Sequence, residues 1–324
     1  MQRFAWALLV SLAAALPSTP WTDPSPHAAR FVSVEEDVRL EVLDWGGAGR
    51  PIVLLAGGGD TAHVFDEFAP KLAATLHVFG ITRRGFGASG FSSSHDGPDR
   101  LGDDVLAVLD ALAIVRPVLV GHSVAGQELS SIAARHPNRA AALVYLDAGY
   151  PYAFDNGTGP AWKQFEISGP QPPPPGPVDL ATFGALQQYY QRVLGFTYPE
   201  AELRQQRGLT ANGRVGKPHD FPGYGVLLKG MKAYADIPLP ALFVFAVPHG
   251  LGSWIDTSTD PKVRSAAAAY DAAVTSATER QAKAIEDGVP TARVVRLAGA
   301  HHYVYLSNES AVLREMLAFI GRLR

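Results

Sequence analysis

The chain has 324 residues, of which 47% are hydrophobic and 18% charged, and its formal net charge is −3 at pH 7. This composition is typical of a globular protein and excludes a disordered chain. Without a basic excess the chain lacks the electrostatic pattern of a nucleic-acid-binding protein, so no nucleic-acid partner is expected. The sequence contains no cysteine, which excludes thiol nucleophiles, zinc–thiolate sites and disulfides.

Residues 1–20 have the pattern of an export signal. Arg3 precedes an apolar stretch that ends near Leu16 and is too short to span a bilayer comfortably. Ala13 and Ala15 are small residues suited to a cleavage site. An N-terminal anchor or a buried helix is the alternative. We therefore expect a secreted or periplasmic protein with no stable membrane span after signal removal.

Strand-like and helix-like segments alternate along the rest of the chain. Apolar runs, typical of strands buried on both faces of a parallel sheet, occur at Pro51–Ala56, His77–Thr82, Pro117–Gly121, Ala142–Asp147, Ala241–Ala246 and Ala292–Leu297. Phe31–Leu43 alternates like a half-buried strand or hairpin arm. Helical segments lie at Asp103–Ala113, Val124–Arg135, Lys262–Asp287 and Ser310–Leu323. The order predicts an α/β fold, with a mostly parallel central sheet and helices on both faces.

Residues 150–236 break this alternation. They begin with a proline-rich stretch at Gly169–Pro177, which is either a stiff connector or a disordered surface loop, and continue with helical segments. We predict a core of residues 21–149 and 237–324, with 150–236 as a mainly helical cap over the sheet edge. Several cap aromatics are candidates for lining a substrate pocket, although most are expected to pack the cap onto the core: Tyr152, Phe154, Trp162, Phe183, Tyr189 and Tyr190.

The strongest chemical signal is the stretch Gly121-His-Ser-Val-Ala-Gly126, which follows a buried strand directly and leads into a helix. We interpret it as a Gly-x-Ser-x-Gly nucleophile turn, whose outer glycines allow close packing while the serine hydroxyl projects from the sheet edge. Ser123 is then the nucleophile, and the backbone N–H of Val124 points where an oxyanion would form. A simple glycine-rich turn is the alternative.

With this motif the sequence resembles the α/β-hydrolase fold family, from about Phe31 to the end of the chain apart from the insertion. Three further stretches carry the resemblance. Leu54–Asp60 occupies the position of the family's His-Gly oxyanion loop, Arg84–Ser89 matches its Arg-Gly-x-Gly-x-Ser loop, and Leu297–Tyr303 matches its terminal histidine loop.

The resemblance implies a base in the loop after the last strand, because a serine hydroxyl needs one to become a good nucleophile. Two adjacent histidines occupy that loop. The family pattern places the base three residues after the loop's first glycine and directly before an aromatic, which assigns His302 rather than His301. A metal site at this pair is disfavoured by the spacing, and no metal or organic cofactor is implied.

The base needs an acid on its other ring nitrogen. Most of the family carries the acid just after the strand that follows the cap, but this chain has His249 there, and Asp256 and Asp260 come later. A minority places the acid one strand earlier, where this chain has Asp147. We favour Asp147 over Asp256, with a structural role at the strand end as the alternative for Asp147.

The resemblance also implies a second oxyanion donor in the glycine loop, the backbone N–H of Gly58. Ala56 stands where the family usually has a histidine, so a side chain that braces the loop is missing. A phosphate-binding loop is excluded because no Gly-Lys-Ser/Thr follows. His63 and Asp66 are assigned either to substrate contact or, preferably, to capping of the loop and the following helix.

These residues predict a serine hydrolase that cleaves small-molecule carboxylic esters or lactones through an acyl-enzyme. Amidase, C–C hydrolase and haloperoxidase-like chemistry within the same fold remain alternatives. A ligand-binding member without catalysis is the alternative from another functional class, because a fold does not determine a function.

Overall fold

The computed structural model describes residues 21–92, 97–227 and 231–323. The predicted export signal, residues 1–20, lies outside these ranges. Within them, no helix is both long enough and apolar enough to cross a bilayer.

The described ranges form ten β-strands and ten α-helices. The strands are β1 (Ala28–Glu35), β2 (Val38–Gly46), β3 (Pro51–Leu55), β4 (His77–Ile81), β5 (Val118–His122), β6 (Ala142–Leu146), β7 (Arg207–Leu209), β8 (Val215–Pro218), β9 (Ala241–Ala246) and β10 (Ala292–Leu297). The helices are α1 (Ala69–Ala73), α2 (Pro98–Ala111), α3 (Gly126–Arg135), α4 (Phe183–Leu194), α5 (Glu200–Gln206), α6 (Tyr224–Leu227), α7 (Trp254–Thr257), α8 (Pro261–Gly288), α9 (Val304–Ser307) and α10 (Glu309–Ile320).

Eight of the strands form one sheet in the order β1-β2-β4-β3-β5-β6-β9-β10. β2 pairs antiparallel with both β1 and β4. All the other neighbouring strands of this sheet pair in parallel. The predicted α/β fold with a mostly parallel sheet is therefore confirmed, and the predicted strand at Phe31–Leu43 is a hairpin of β1 and β2.

Two hydrophobic layers cover the sheet, one on each face. In β5, Leu119 points into the layer formed with α2, α3 and α8, whereas Val118 and Val120 point into the layer formed with α1, α4 and α10. Strands β5, β6 and β9 are buried along their whole length. Burial on both faces explains why these strands are apolar at nearly every position rather than at alternate ones, with His122 at the end of β5 as the exception.

Residues 150–236 connect β6 to β9 and contain α4, α5, α6 and a second sheet, the antiparallel pair β7–β8. The prediction of a mainly helical insertion did not include this hairpin, which turns at Asn212-Gly213 with a φ of +77° at Gly213, a typical hairpin signal. The run Gly169–Pro177 is without helix or strand. The assignment of residues 150–236 as a cap domain stays a prediction.

Candidate active site

The sheet brings distant parts of the sequence together at one edge. Loops follow β3, β5, β6, β9 and β10 at their carboxyl ends, and in a parallel sheet these ends lie on the same side. Ser123 follows β5, Asp147 follows β6, and His302 lies in the loop after β10. Because β5, β6, β9 and β10 are successive neighbours in the sheet, the three side chains converge.

Ser123 lies in a sharp turn between β5 and α3. Its φ of +53° falls in the left-handed region that residues with a side chain rarely adopt, as expected for a turn that projects a nucleophile. The interpretation as Gly-x-Ser-x-Gly is wrong in one detail, because Ala125 occupies the place of the second glycine. Gly126 provides the close packing instead, since a Cβ there would lie 2.1 Å from the carbonyl oxygen of Ala148.

His302 is the histidine that faces the serine. Its Nε2 lies 2.9 Å from Ser123 Oγ. The ring of His301 packs instead on Tyr303 and Phe196, and burial together with the neighbouring imidazole of His302 lowers the pKa of His301 to about 3. The structure therefore brings His302, and not His301, to Ser123.

Asp147 completes the arrangement. Its Oδ2 lies 2.6 Å from His302 Nδ1, and its Oδ1 accepts hydrogen bonds from the Ala246 backbone N–H at 3.0 Å and the Tyr150 hydroxyl at 2.8 Å. The two rival acids lie elsewhere, because Asp256 is exposed on α7 and Asp260 caps the N-terminus of α8. A φ of +46° at Asp147 shows that this strand end also bends sharply.

A second imidazole contacts the same carboxylate oxygen. His249 Nε2 lies 2.7 Å from Asp147 Oδ2, and the ring centroids of His249 and His302 are 6.0 Å apart. Burial favours the neutral acid, but the charge of His249 and the hydrogen bonds from both imidazoles outweigh it and hold the pKa of Asp147 far below its usual range. Burial by itself would lower the pKa of His249. The charge of Asp147 and its hydrogen bond have the larger effect and raise that pKa. The sequence located His249 in the usual acid position but predicted no role for it.

The glycine loop after β3 lies beside the serine turn. A Cβ on Gly57 would lie 3.2 Å from Ser123 Cβ, and one on Gly58 would lie 3.6 Å from Val124 Cγ1. The predicted oxyanion residues Gly58 and Val124 are therefore neighbours. Because Gly57 and Gly58 have no side chain, a substrate can approach the backbone closely at both positions.

Arg83 braces this loop, and sequence reasoning missed it. Its guanidinium donates to the carbonyl oxygens of Ala56 at 2.8 Å and Gly57 at 3.1 Å, and to Glu128 Oε1 at 2.5 Å. A buried guanidinium with a carboxylate partner holds the backbone in a fixed orientation. The sequence predicted that this loop lacks a supporting side chain, because Ala56 stands where the family usually has a histidine. Arg83, in the loop after β4, provides that support instead.

His122 connects the serine turn to the histidine loop. Its Nε2 donates to the carbonyl oxygen of His302 at 3.1 Å. Burial and the neighbouring His302 hold the pKa of His122 well below its usual range, so the ring is neutral and serves as a fixed donor.

A cavity of about 490 Å³ opens at the serine. Most of its wall is aromatic or aliphatic, and the imidazoles lie at the end that carries the hydroxyl. The lining residues are Ser123, Val124, Tyr150, Tyr152, Trp162, Phe165, His249, Gly250, Leu251, Tyr270, Val274, His301 and His302. Helix α8 thus forms part of the wall through Tyr270 and Val274, which the sequence did not predict.

Two of the six cap aromatics proposed as pocket residues line this cavity, namely Tyr152 and Trp162. Burial raises the pKa of Tyr152 well above its usual range, and the neighbouring Ser123 side chain partly offsets this effect. The remaining four pack in the hydrophobic layers, as the sequence analysis preferred for most of them: Phe154, Phe183, Tyr189 and Tyr190.

His63 and Asp66 are not among the residues that line this cavity. Their segment is a capped turn: the Thr61 hydroxyl accepts from the His63 backbone N–H, and Asp66 ends the turn by donating its own N–H to the His63 carbonyl. Burial by itself would lower the pKa of His63. The hydrogen bonds and negative charges of Asp66 and Glu41 have the larger effect and raise that pKa to about 10.

Two groups of described side chains hold three or more potential metal ligands within 4.8 Å of one another. One is the Asp147, His249 and His302 set, in which the carboxylate is at hydrogen-bond distance from both rings. The other combines His63 and Asp66 with Asp23 and His27.

Comparison with known proteins identifies the family of the chain. A model of the alpha/beta hydrolase family matches residues 52–315. The 2-hydroxymuconate semialdehyde hydrolase of Pseudomonas sp. (strain CF600) is 30% identical over 143 residues, which are 43% of this chain and 50% of that protein. The bifunctional esterase/perhydrolase DCH of Acinetobacter calcoaceticus is 29% identical over 125 residues, 37% of this chain and 45% of that protein.

The matched stretches span between 32% and 50% of the length of three curated relatives, including that semialdehyde hydrolase. Among solved structures, E-2-(acetamidomethylene)succinate hydrolase aligns with a TM-score of 0.62 over 91% of this chain and 99% of that chain, at 16% identity. That likeness concerns the fold.

Proposed function

Because the chain belongs to the alpha/beta hydrolase family, we propose that it is a serine hydrolase that cleaves carboxylic esters or lactones through an acyl-enzyme. One observation carries the proposal. A continuous hydrogen-bonded path runs from Ser123 Oγ through the His302 ring to the buried carboxylate of Asp147, with steps of 2.9 Å and 2.6 Å. This is the geometry that converts a hydroxyl into a nucleophile.

In the first half of the proposed reaction, Ser123 Oγ attacks the ester carbonyl while His302 Nε2 takes its proton. Asp147 accepts the Nδ1–H of His302 and stabilises the imidazolium that forms. The backbone N–H groups of Val124 and Gly58 donate to the oxyanion. The C–O bond then breaks, and the imidazolium returns the proton to the leaving alkoxide.

In the second half, a water molecule replaces the alcohol. His302 takes a proton from the water as it attacks the acyl carbon, and the tetrahedral intermediate collapses to release the carboxylic acid and restore the Ser123 hydroxyl. General acid–base catalysis contributes about 10²–10⁴-fold, and each oxyanion donor contributes about 10²–10³-fold.

The cavity supports an ester with an apolar or aromatic group of modest size. Its volume of about 490 Å³ lies in the range of small-molecule sites, and its wall carries Trp162, Phe165 and Tyr270. Each methylene that the wall buries in the transition state is expected to raise kcat/KM about fourfold. A p-nitrophenyl ester series should therefore rise from acetate through butyrate and fall once the acyl chain exceeds the cavity.

A serine-directed fluorophosphonate with a p-nitrophenyl butyrate assay tests the proposal. We expect one label per chain, located at Ser123 by peptide mass spectrometry, and parallel loss of hydrolysis. Ser123→Ala should neither react nor turn over substrate, whereas Ser276→Ala, which removes an exposed hydroxyl on α8, should behave like the unmodified protein.

Three other results would contradict the proposal. Label at another residue would give the nucleophile a different identity. Labelling without turnover of any ester or lactone would point to amide or C–C bond substrates, or to haloperoxidase-like chemistry. Saturable ligand binding with neither labelling nor turnover would support a binding protein.

A further inference from the structure

A second group of ionisable side chains lies where residues 21–27 pack against the capped turn after the glycine loop. We call Asp23, His27, His63 and Asp66 the His27–His63 cluster. Three of its side chains are almost completely buried, since His27 and His63 are 6% exposed and Asp66 is 3% exposed, while Asp23 is 24% exposed. None of them has a role in the proposed reaction.

Each residue of the cluster offers one ligand atom, and these four atoms all lie within 4.8 Å of one another. His63 Nδ1 lies 3.0 Å from Asp66 Oδ2 and 3.3 Å from Asp23 Oδ2. His27 Nε2 lies 3.7 Å from the same Asp23 oxygen. In a tetrahedral zinc site with bonds of about 2.0–2.2 Å, neighbouring ligand atoms are about 3.4 Å apart. The three separations bracket that value.

Polar groups around the cluster fix the orientation of these ligands. The other nitrogen of His63 lies 3.6 Å from Glu41 Oε1, and the Trp45 indole N–H donates to Asp66 Oδ1 at 3.1 Å. His27 Nδ1 lies 2.8 Å from that same oxygen. On its second ring nitrogen, His63 thus has a carboxylate from outside the cluster, as metal-bound histidines usually do, whereas His27 has the second oxygen of Asp66.

The chemistry of the donors selects the ion. Two imidazole nitrogens and two carboxylate oxygens in a four-ligand arrangement suit Zn²⁺ better than Mg²⁺ or Ca²⁺, which prefer six or more oxygen ligands. Three buried or half-buried carboxylates, those of Asp23, Glu41 and Asp66, surround two imidazoles. A metal ion binds only neutral imidazole, so it would displace any second ring proton, and the dication then offsets two of the three negative charges.

We propose that the His27–His63 cluster binds one Zn²⁺ in a closed structural site. All four positions around the ion are taken by side chains, so no position is left for a substrate. The ion would join residues 21–27 to the turn that directly follows Gly57–Gly59, and its loss would loosen the support of that loop.

Metal content and cobalt spectroscopy test this site without reference to activity. The full chain is stripped with a chelator, incubated with ZnCl₂, desalted and analysed by mass spectrometry of the elements. We expect one zinc per chain. CoCl₂ in place of zinc should give the intense visible d–d absorption of a tetrahedral site.

His27→Gln and Asp23→Asn should each reduce zinc retention at least tenfold and remove the cobalt bands. Both residues lie in the segment that precedes the central sheet, so the core is expected to fold in each variant, and two independent variants guard against one that fails. His77→Gln is the matched control, because His77 pairs with one carboxylate at 2.9 Å but lies outside the cluster, and it should retain zinc fully.

Zinc should also raise the melting temperature of the unmodified chain by roughly 5 °C at a hundredfold excess over the dissociation constant, and should leave His27→Gln unchanged. Zinc retention below a tenth of an equivalent would overturn the proposal. Equal retention by the unmodified chain and both cluster variants would overturn it as well, because the metal would then be bound elsewhere.

Discussion

Replacing Asp147 by asparagine tests the proposed catalytic arrangement most directly. Oδ1 of Asp147 accepts hydrogen bonds from the Ala246 N–H and the Tyr150 hydroxyl, so the carbonyl oxygen of the substituted amide must take that side to satisfy both donors. The amide NH₂ then faces His302 Nδ1. A donor at this position forces the ring into the tautomer with its proton on Nε2, which cannot accept a proton from Ser123.

The magnitude follows from the loss of the charge and the change of tautomer. A carboxylate and an imidazolium with charge centres about 4 Å apart interact with about 4 kcal/mol at an effective dielectric constant near 20. This corresponds to a factor of about 10³ in rate, and the unfavourable tautomer adds to it. We expect kcat for Asp147→Asn to fall by about 10³–10⁴-fold while KM changes little.

The assay is steady-state hydrolysis of p-nitrophenyl butyrate, with folding checked by circular dichroism and thermal melting. Asp256→Asn is the matched control, because it makes the same chemical change at the rival acid, which is exposed on α7. Its kcat should stay within twofold of the unmodified protein.

A folded Asp147→Asn protein that keeps more than a tenth of the activity would refute the assignment of Asp147 as the acid. Collapse of kcat in Asp256→Asn would show that the loop after β9 supplies the acid and that Asp147 serves the fold.

Three further predictions concern neighbouring side chains. His302→Gln should lower kcat about 10²–10⁴-fold and His301→Gln less than tenfold; equal losses in the butyrate assay would contradict the choice of base. His249→Gln removes an imidazole whose pKa is raised by Asp147 and whose ring centroid lies 6.0 Å from that of His302, so the acid limb of the kcat/KM profile should move to higher pH, and an unmoved limb would contradict it. Burial raises the pKa of Asp60 to about 7, so the folded chain keeps a proton that the unfolded chain has lost, and stability falls as pH rises from about 4 to about 7. Asp60→Asn should remove up to about 1.4 kcal/mol per pH unit of that fall, measured by urea unfolding at pH 5 and pH 7, and identical slopes would count against it.

The central sheet was predictable because burial on both faces leaves a mark in the sequence. Strands such as β6 and β9 are hydrophobic at every position, and a loop follows each of them. The hairpin β7–β8 was missed, although Asn212-Gly213 is a strong turn signal, because its short strands lack a clear apolar pattern. Helix α8 was predicted, but nothing in its periodicity showed that Tyr270 and Val274 would line the cavity.

The residues of the candidate site can also be divided into those that the sequence predicted and those that it did not. Ser123 and His302 stand in local motifs, so their neighbourhood was visible in the sequence. Arg83 was not, because a buried ion pair with Glu128 looks in sequence like two solvated charges. Its only signal was its position two residues after the end of β4, beside Arg84. The His27–His63 cluster depends on contacts between residues far apart in the chain, which single-sequence spacing does not reveal.

The position of Asp147 follows from the neighbouring places of β6 and β9 in the sheet. Both strands end beside the His302 ring, since Asp147 follows one and His249 follows the other, and the two side chains meet at 2.7 Å. The side chain after β9 therefore reaches the same carboxylate oxygen that contacts His302 Nδ1. With the acid on β6, the place after β9 is free for a group that donates to it, and His249 fills that place. His249 is thus a second donor on the oxygen that contacts His302, and the two imidazoles together hold the pKa of Asp147 far below its usual range.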